Sequence, residues 1–198
     1  MALVAGRRTA ASSGRGSPFH SVATMRVEPA VVEDAHAIAA VHVASWRAAY
    51  AGLLRSEYLA SLSVAQREAM WKESLERGTP QLLVARSERE VVGFCAFGSS
   101  RDEGAMASCA EVWAFYLDPN VWSRGVGRTL WLAALARMRE QGFKSISLWV
   151  IANNERAIRF YRAAGFSPEE GSLKDFVLGG TPMQEVRLFF QMSGRADR

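Results

Sequence analysis

The chain has 198 residues, 49% of them hydrophobic and 22% charged, which suits one globular core and leaves little room for a second. The formal charge of +4 hints at a polyanionic partner, but Arg7, Arg8 and Arg15 stand in an acid-free stretch at positions 1–24, and the other 174 residues hold 21 basic against 20 acidic groups. So even a balance argues against nucleic acid as partner, and with no run approaching eighteen apolar residues no membrane-spanning helix is expected.

Residues 1–24 are rich in Gly, Ser, Ala and Arg without periodicity and are expected to be a disordered basic extension. Arg7-Arg8 lacks the long apolar segment of an export signal; a transit peptide or a true start at Met25 are the other readings of this composition. The folded domain is expected over 25–192, with a short tail at 193–198. A helix begins at Glu33-Asp34 and stops near Gly52, with Ile38, Val41 and Ser45 inward beside Ala37 and Trp46. A second runs from about Ser63 to Arg77 and ends at Gly78. Trp46, Tyr50 and Trp71 either line a substrate site or pack in the core. His42 is a candidate base or a packed histidine, and with no histidine pair at ligand spacing on a helix no metal is expected. Gln81–Arg86 and Val91–Gly98, parted by the polar turn Ser87–Glu90, read as an antiparallel hairpin. Cys95 within it reads as a small core residue. With Cys109 it makes too few cysteines for a disulfide framework, so a reducing cytoplasm is the expected compartment.

The stretch Glu111–Phe166 carries the chemistry. Val112–Leu117 reads as a buried strand, broken by Asp118-Pro119-Asn120. Arg124-Gly125-Val126-Gly127-Arg128 then precedes a helix over Thr129–Gln141, in which Leu130, Ala134 and Met138, and also Trp131 and Leu135, recur at helical spacing. First-turn amides have no intrahelical acceptor and carry the positive end of the helix dipole, so a phosphate or pyrophosphate is the natural guest. The pattern is no Walker loop, because Arg128-Thr129 stands where Lys-Ser/Thr is required, and no dinucleotide fingerprint, because Leu130 stands where the third glycine belongs. Taken alone, the glycine pair equally fits a plain strand-to-helix turn. Ser145–Ile151 is a further buried strand, Asn153-Asn154 caps a helix from about Glu155 to Ala163, and Gly165 ends it. Leu173–Leu178 and Glu185–Met192, connected by Gly179-Gly180-Thr181-Pro182, read as a closing hairpin.

Trp122-Ser123-Arg124-Gly125-Val126-Gly127 matches Gln/Arg-x-x-Gly-x-Gly/Ala except at its first position, and Asn154, Ala157, Phe160, Tyr161, Gly165 and Phe166 match Asn-x-x-Ala-x-x-Phe-Tyr-x-x-x-Gly-Phe. In these two segments the chain resembles the GNAT superfamily of acetyl-CoA-dependent N-acetyltransferases. The resemblance covers about residues 25–192. It implies an α/β fold with a mixed, mostly antiparallel sheet of six to seven strands and helices on both faces.

It also implies the roles. The loop amides from Arg124 through Gly125, Val126, Gly127 and Arg128 to Thr129 would hold acetyl-CoA. The strand backbone at Phe115, Tyr116 and Leu117 would pair with the pantetheine arm and polarise the thioester, Asn154 would touch the arm, and Tyr161 would protonate the leaving thiolate unless it is a packing aromatic. Trp46 and Tyr50 would face the acceptor, a primary amine of a small molecule or peptide. Glu111, at the start of the central strand, is the candidate base, directly or through water, or else a surface or turn carboxylate. A homodimer through a sheet edge or the C-terminal strands is in keeping with the family, and an inactive acyl-CoA-binding sensor is the alternative function.

Overall fold

A computed structural model describes residues 25–192; the expectations for 1–24 and 193–198 fall outside the described residues. The strands are β1 (Met25–Pro29), β2 (Gln81–Ser87), β3 (Glu90–Ser99), β4 (Cys109–Leu117), β5 (Ser145–Ile151), β6 (Ser167–Pro168), β7 (Lys174–Leu178) and β8 (Thr181–Gln191). The helices are α1 (Ala35–Ala49), α2 (Ser56–Ser61), α3 (Val64–Arg77), α4 (Val126–Glu140) and α5 (Glu155–Ala163). The sheet runs β1-β2-β3-β4-β5-β8-β6, with β7 also on β8, and every pairing is antiparallel except β4–β5.

Alternation along the central strands builds two cores. Leu82, Val84, Phe94 and Ala96 face Ile38, Ala39 and Trp71 of α1 and α3, while Leu83, Ala85, Cys95 and Phe97 face Leu130, Trp131, Ala134 and Met138 of α4. A sheet covered on both faces needs apolar residues at successive positions, so β2 and β3 read as unbroken hydrophobic runs. Ser63 caps α3 by accepting from the Gln66 N–H at 3.3 Å, and Gly78 ends it at φ +67°.

The sheet has eight strands rather than six or seven, because a two-residue β6 pairs with Phe189 and Leu188 of β8. An extra helical turn, α2, is held by Arg47, which donates to the Leu59 carbonyl at 3.1 Å and the Leu62 carbonyl at 2.9 Å. Strand β8 starts before Glu185, at Thr181. The closing turn is Gly179-Gly180, both at positive φ, and Pro182 is tolerated because the β8–β5 ladder begins only at Glu185, leaving Pro182 paired with Val177 of β7 alone.

One topological detail positions the site. Strands β4 and β5 pair only through Cys109–Glu111 and Ser145–Ser147, while β3 and β8 continue along their outer edges. The β3–β4 register slips between Ala96 and Phe97, leaving Trp113 as the extra residue on β4 as the two strands part. From Val112 onward the inner edge of β4 has no strand partner among the described residues.

Candidate active site

The parting of β4 and β5 opens a cavity of about 720 Å³, walled by both strands, the end of α1, the start of α4, α5 and the β7–β8 hairpin. An unpaired strand edge along such a wedge is a template on which an extended ligand can hydrogen-bond as a strand would. Phe115, Tyr116 and Leu117 lie on that stretch and line the cavity.

At one end the loop into α4 curls sharply, with Ser123 at φ +62° and Gly125 at φ +85°. Helix α4 therefore starts at Val126, three residues before the apolar periodicity shows it. The Thr129 N–H bonds the Gly125 carbonyl at 3.1 Å; the Val126, Gly127 and Arg128 amides before it donate to no described residue, and such a helix end suits an anion. A Cβ on Gly125 would meet nothing within 4 Å, whereas one on Gly127 would come to 3.1 Å from Leu117 Cδ1 and 3.3 Å from Phe160 Cε2. The first glycine leaves an open cradle; the second lets α4 pack closely on β4 and α5. Arg128, Arg156 and Arg159 supply charge in the same wall. Phosphate groups fit this end.

Trp122, the departure from the motif, has a visible role. Its Nε1 donates to the Leu117 carbonyl at 3.1 Å, and the Arg156 guanidinium sits 4.5 Å above its ring. The loop is thereby tied to the end of β4, and α5 provides a cation where the motif would carry Gln or Arg. Nothing in the sequence links residues 122 and 156, so this pairing was not legible there.

Tyr161 and Asn154 line the same cavity. The Tyr161 side chain is buried against Phe115, Phe160 and Phe166. Burial, with smaller effects from Cys95, Tyr116 and Tyr50, pushes its hydroxyl well above the ordinary tyrosine range, so it stays protonated at any working pH. Asn154 Oδ1 accepts from the Ala157 N–H at 3.1 Å and caps α5, and its side chain reaches the Tyr50 hydroxyl closely enough to oppose the effect of burial there. Tyr50 is also raised above its ordinary range by burial. Trp46 packs edge-on against it at 5.1 Å, and the Trp46 indole N–H is buried without an acceptor among the described residues.

Other sequence candidates lie elsewhere. Glu111 is absent from the cavity wall and sits where β4 and β5 are still paired. Its buried carboxylate accepts from the Arg101 backbone N–H at 2.8 Å and from the Arg101 guanidinium. Arg124, Val126 and Thr129 do not line the cavity, although the Val126 amide belongs to the unpaired helix end. Trp71 is core, donating from Nε1 to His42 Nδ1 at 3.1 Å. Among the described residues no three His, Cys, Asp or Glu side chains group in a way that could hold a metal ion, and no described helix is long and apolar enough to cross a membrane. The acid that sequence reading missed is Glu185, which does line the cavity; it looked like one polar residue alternating along a C-terminal strand.

His42 is a packed residue, stacked on Tyr116 at 4.7 Å. Burial first, and then the charge of Arg67, depresses its pKa to about 3. An unfolded chain takes up this proton near pH 6.5 and the folded one does not, so His42 costs no stability above pH 6.5 and draws stability down as pH falls from there towards 3. The loss in unfolding free energy between pH 7 and pH 4.5 is expected to shrink by about 2 kcal/mol in His42→Gln, read from denaturant midpoints at each pH; an unchanged slope would show that carboxylates alone set it.

Comparison with known proteins agrees with this geometry. The profile of the Acetyltransferase (GNAT) family matches residues 45–166. An uncharacterised N-acetyltransferase of Bacillus subtilis (strain 168), YuaI, is 36% identical over 163 residues, covering 82% of this chain and 90% of that protein. Spermidine N(1)-acetyltransferase of Thermoplasma acidophilum is 29% identical over 152 residues, covering 74% and 91%. In fold, the chain resembles the crystal structure of PaiA N-acetyltransferase from Thermoplasma acidophilum in complex with coenzyme A, with a TM-score of 0.68 at 22% identity over 85% of this chain and 99% of that one. The family profile spans more than half of the chain, and the motif residues that carry the likeness converge on one cleft: this protein belongs to the GNAT family of acetyltransferases.

Proposed function

We propose that the protein transfers the acetyl group of acetyl-CoA to a primary amine of a small molecule or peptide, directly, within a ternary complex. The observation that carries this reading is the wedge between β4 and β5, with unpaired helix amides at one end and Tyr161 in its wall. Bound acetyl-CoA supplies an activated thioester. The amides of Val126, Gly127 and Arg128 hold its phosphates, helped by Arg128, Arg156 and Arg159 and flanked by Arg124 and Thr129. The free edge of β4 at Phe115–Leu117 pairs with the pantetheine arm and turns an N–H towards the thioester oxygen, where negative charge grows during attack. The Asn154 NH₂ steadies the arm.

The amine attacks as the free base: the C–N bond forms, the C–S bond breaks, the leaving thiolate takes the Tyr161 proton, and the proton that the nitrogen sheds as the amide forms passes to solvent, from which the Tyr161 phenol is restored. A phenol is a weak acid, but a thiolate expelled into the same dry wall is a correspondingly stronger base, so the transfer is balanced locally. Trp46 and Tyr50 stand on the acceptor side, and the naming of one relative as a spermidine acetyltransferase favours a small amine. No acyl-enzyme is invoked, since the Cys95 thiol is fully buried and pushed up by burial.

Isothermal titration of the full chain with acetyl-CoA, with ATP and NAD as controls, is expected to show micromolar binding selective for acetyl-CoA. No heat from folded protein, or equal affinity for ATP, would defeat the reading. Stoichiometric binding without turnover over a broad amine panel would assign the protein to acyl-CoA sensing instead.

A further inference from the structure

The walls of the cleft are divided by charge. Among the described residues its cations, Arg128, Arg156 and Arg159, come from α4 and α5, and its single acid, Glu185, comes from β8. Glu185 stands opposite Ile151 of β5 and Lys174 of β7. Ile151 packs in a satellite cluster with Tyr50 and Met183, with Trp46 and Phe176 against it. The carboxylate therefore belongs to the aromatic wall, on the acceptor's side of the cleft. It is half-buried and makes no hydrogen bond or ion pair with any described residue. Burial lifts its pKa above the ordinary carboxylate range, with Lys174 opposing and Asp102 adding. A partly dehydrated carboxylate without a fixed partner is relieved by a cation that arrives with the ligand.

The negative field continues outward. Trp149 lines both the main cavity and an adjoining hollow of about 360 Å³ whose wall holds Asp102, Glu103, Glu169 and Glu170. Of the two bases there, Arg187 is spent on Asp102 at 2.8 Å and Glu169 at 2.6 Å, and Lys174 lies 3.8 Å over the Trp149 ring. Acids outnumber bases along this whole side. A carboxylate beside the reacting nitrogen would hold it as ammonium, the form that cannot attack; the same carboxylate beside a second, spectator nitrogen costs the reaction nothing.

We infer that the acceptor is a small α,ω-diamine or longer oligoamine, and that Glu185, with the rings of Trp46, Tyr50 and Phe176, is the seat of its non-reacting ammonium. This rests on the donor reading given above. Rings around a carboxylate are suited to this, since aromatic faces attract an ammonium while excluding water.

The test uses the full chain with acetyl-CoA and three primary amines of similar length: 1,5-diaminopentane, hexylamine and 6-aminohexanoate. The diamine is expected to exceed the other two in kcat/KM, with 6-aminohexanoate lowest. Glu185→Gln is expected to lower kcat/KM for the diamine about tenfold to a hundredfold, through KM, with hexylamine changed by less than about threefold and acetyl-CoA affinity preserved. An equal loss for diamine and hexylamine would overturn the inference, because Glu185 would then serve the reacting nitrogen. Preference for 6-aminohexanoate, or no turnover of any of the three by protein that binds acetyl-CoA, would overturn it while sparing the donor reading. Failure to bind acetyl-CoA at all would remove that reading first.

Discussion

Tyr161→Phe is expected to lower kcat about a hundredfold and to leave acetyl-CoA affinity within about a factor of two. The hydroxyl makes no hydrogen bond with a described residue, and the ring is held by Phe115, Phe160 and Phe166, so phenylalanine keeps the packing and removes only the proton. Because the wild-type group stays protonated well past neutrality, the acid limb that it governs should lie far into the alkaline range. The variant's deficit should then be constant between about pH 6 and 9. Rapid-quench kinetics with saturating donor and acceptor isolates the chemical step. An unaltered rate would make Tyr161 a packing residue of α5 and leave the thiolate to be protonated by water.

The second large effect is on binding. Gly125→Ala places a side chain at φ +85°, which costs roughly 1–2 kcal/mol, and the loop can relieve that strain only by turning its amides away. The methyl would otherwise stand in the open cradle. Either way acetyl-CoA affinity is expected to fall about tenfold to a hundredfold, with the fold retained. Gly142→Ala is the matched control: Gly142 lies just beyond the other end of α4, also at φ +85° and also with nothing within 4 Å of an added Cβ. Both variants should lose similar stability by thermal denaturation, and only Gly125→Ala should lose acetyl-CoA in titration. Equal affinities in the two would mean that the glycine turn is structural and that phosphate binds elsewhere.

Much of the architecture was readable because local physics wrote it. The 3.6-residue spacing of Leu130, Ala134 and Met138 marked α4, Ser63 and Gly78 marked the ends of α3, and apolar runs marked β2 and β3. The two motif segments, each contiguous in sequence, brought Gly125, Gly127, Asn154 and Tyr161 to one cavity. Element boundaries were less legible where backbone conformation outran side-chain pattern: α4 begins at a positive-φ glycine that carries no hydrophobic signal, and β4 begins three residues early because Glu111 is buried with an ion-pair partner.

Function divided along the same line. The family, the glycine turn proposed to hold phosphate and the candidate proton donor were legible in local order along the chain, because each depends on residues a few positions apart and on the chirality and hydrogen-bonding needs of a helix end. Which carboxylate we place beside the acceptor rests instead on long-range pairing. Glu111 was the more conspicuous choice at the head of the central strand, yet its pairing with Arg101, ten residues away in sequence, satisfies its charge. Glu185 had no distinguishing neighbours in the chain, and only the antiparallel register of β8 on β5, with the early parting of β4 from β5, set it in the cleft without a fixed counter-ion. Local sequence records what a residue can do; which charges remain unsatisfied depends on long-range pairing, and that is settled when the sheet closes.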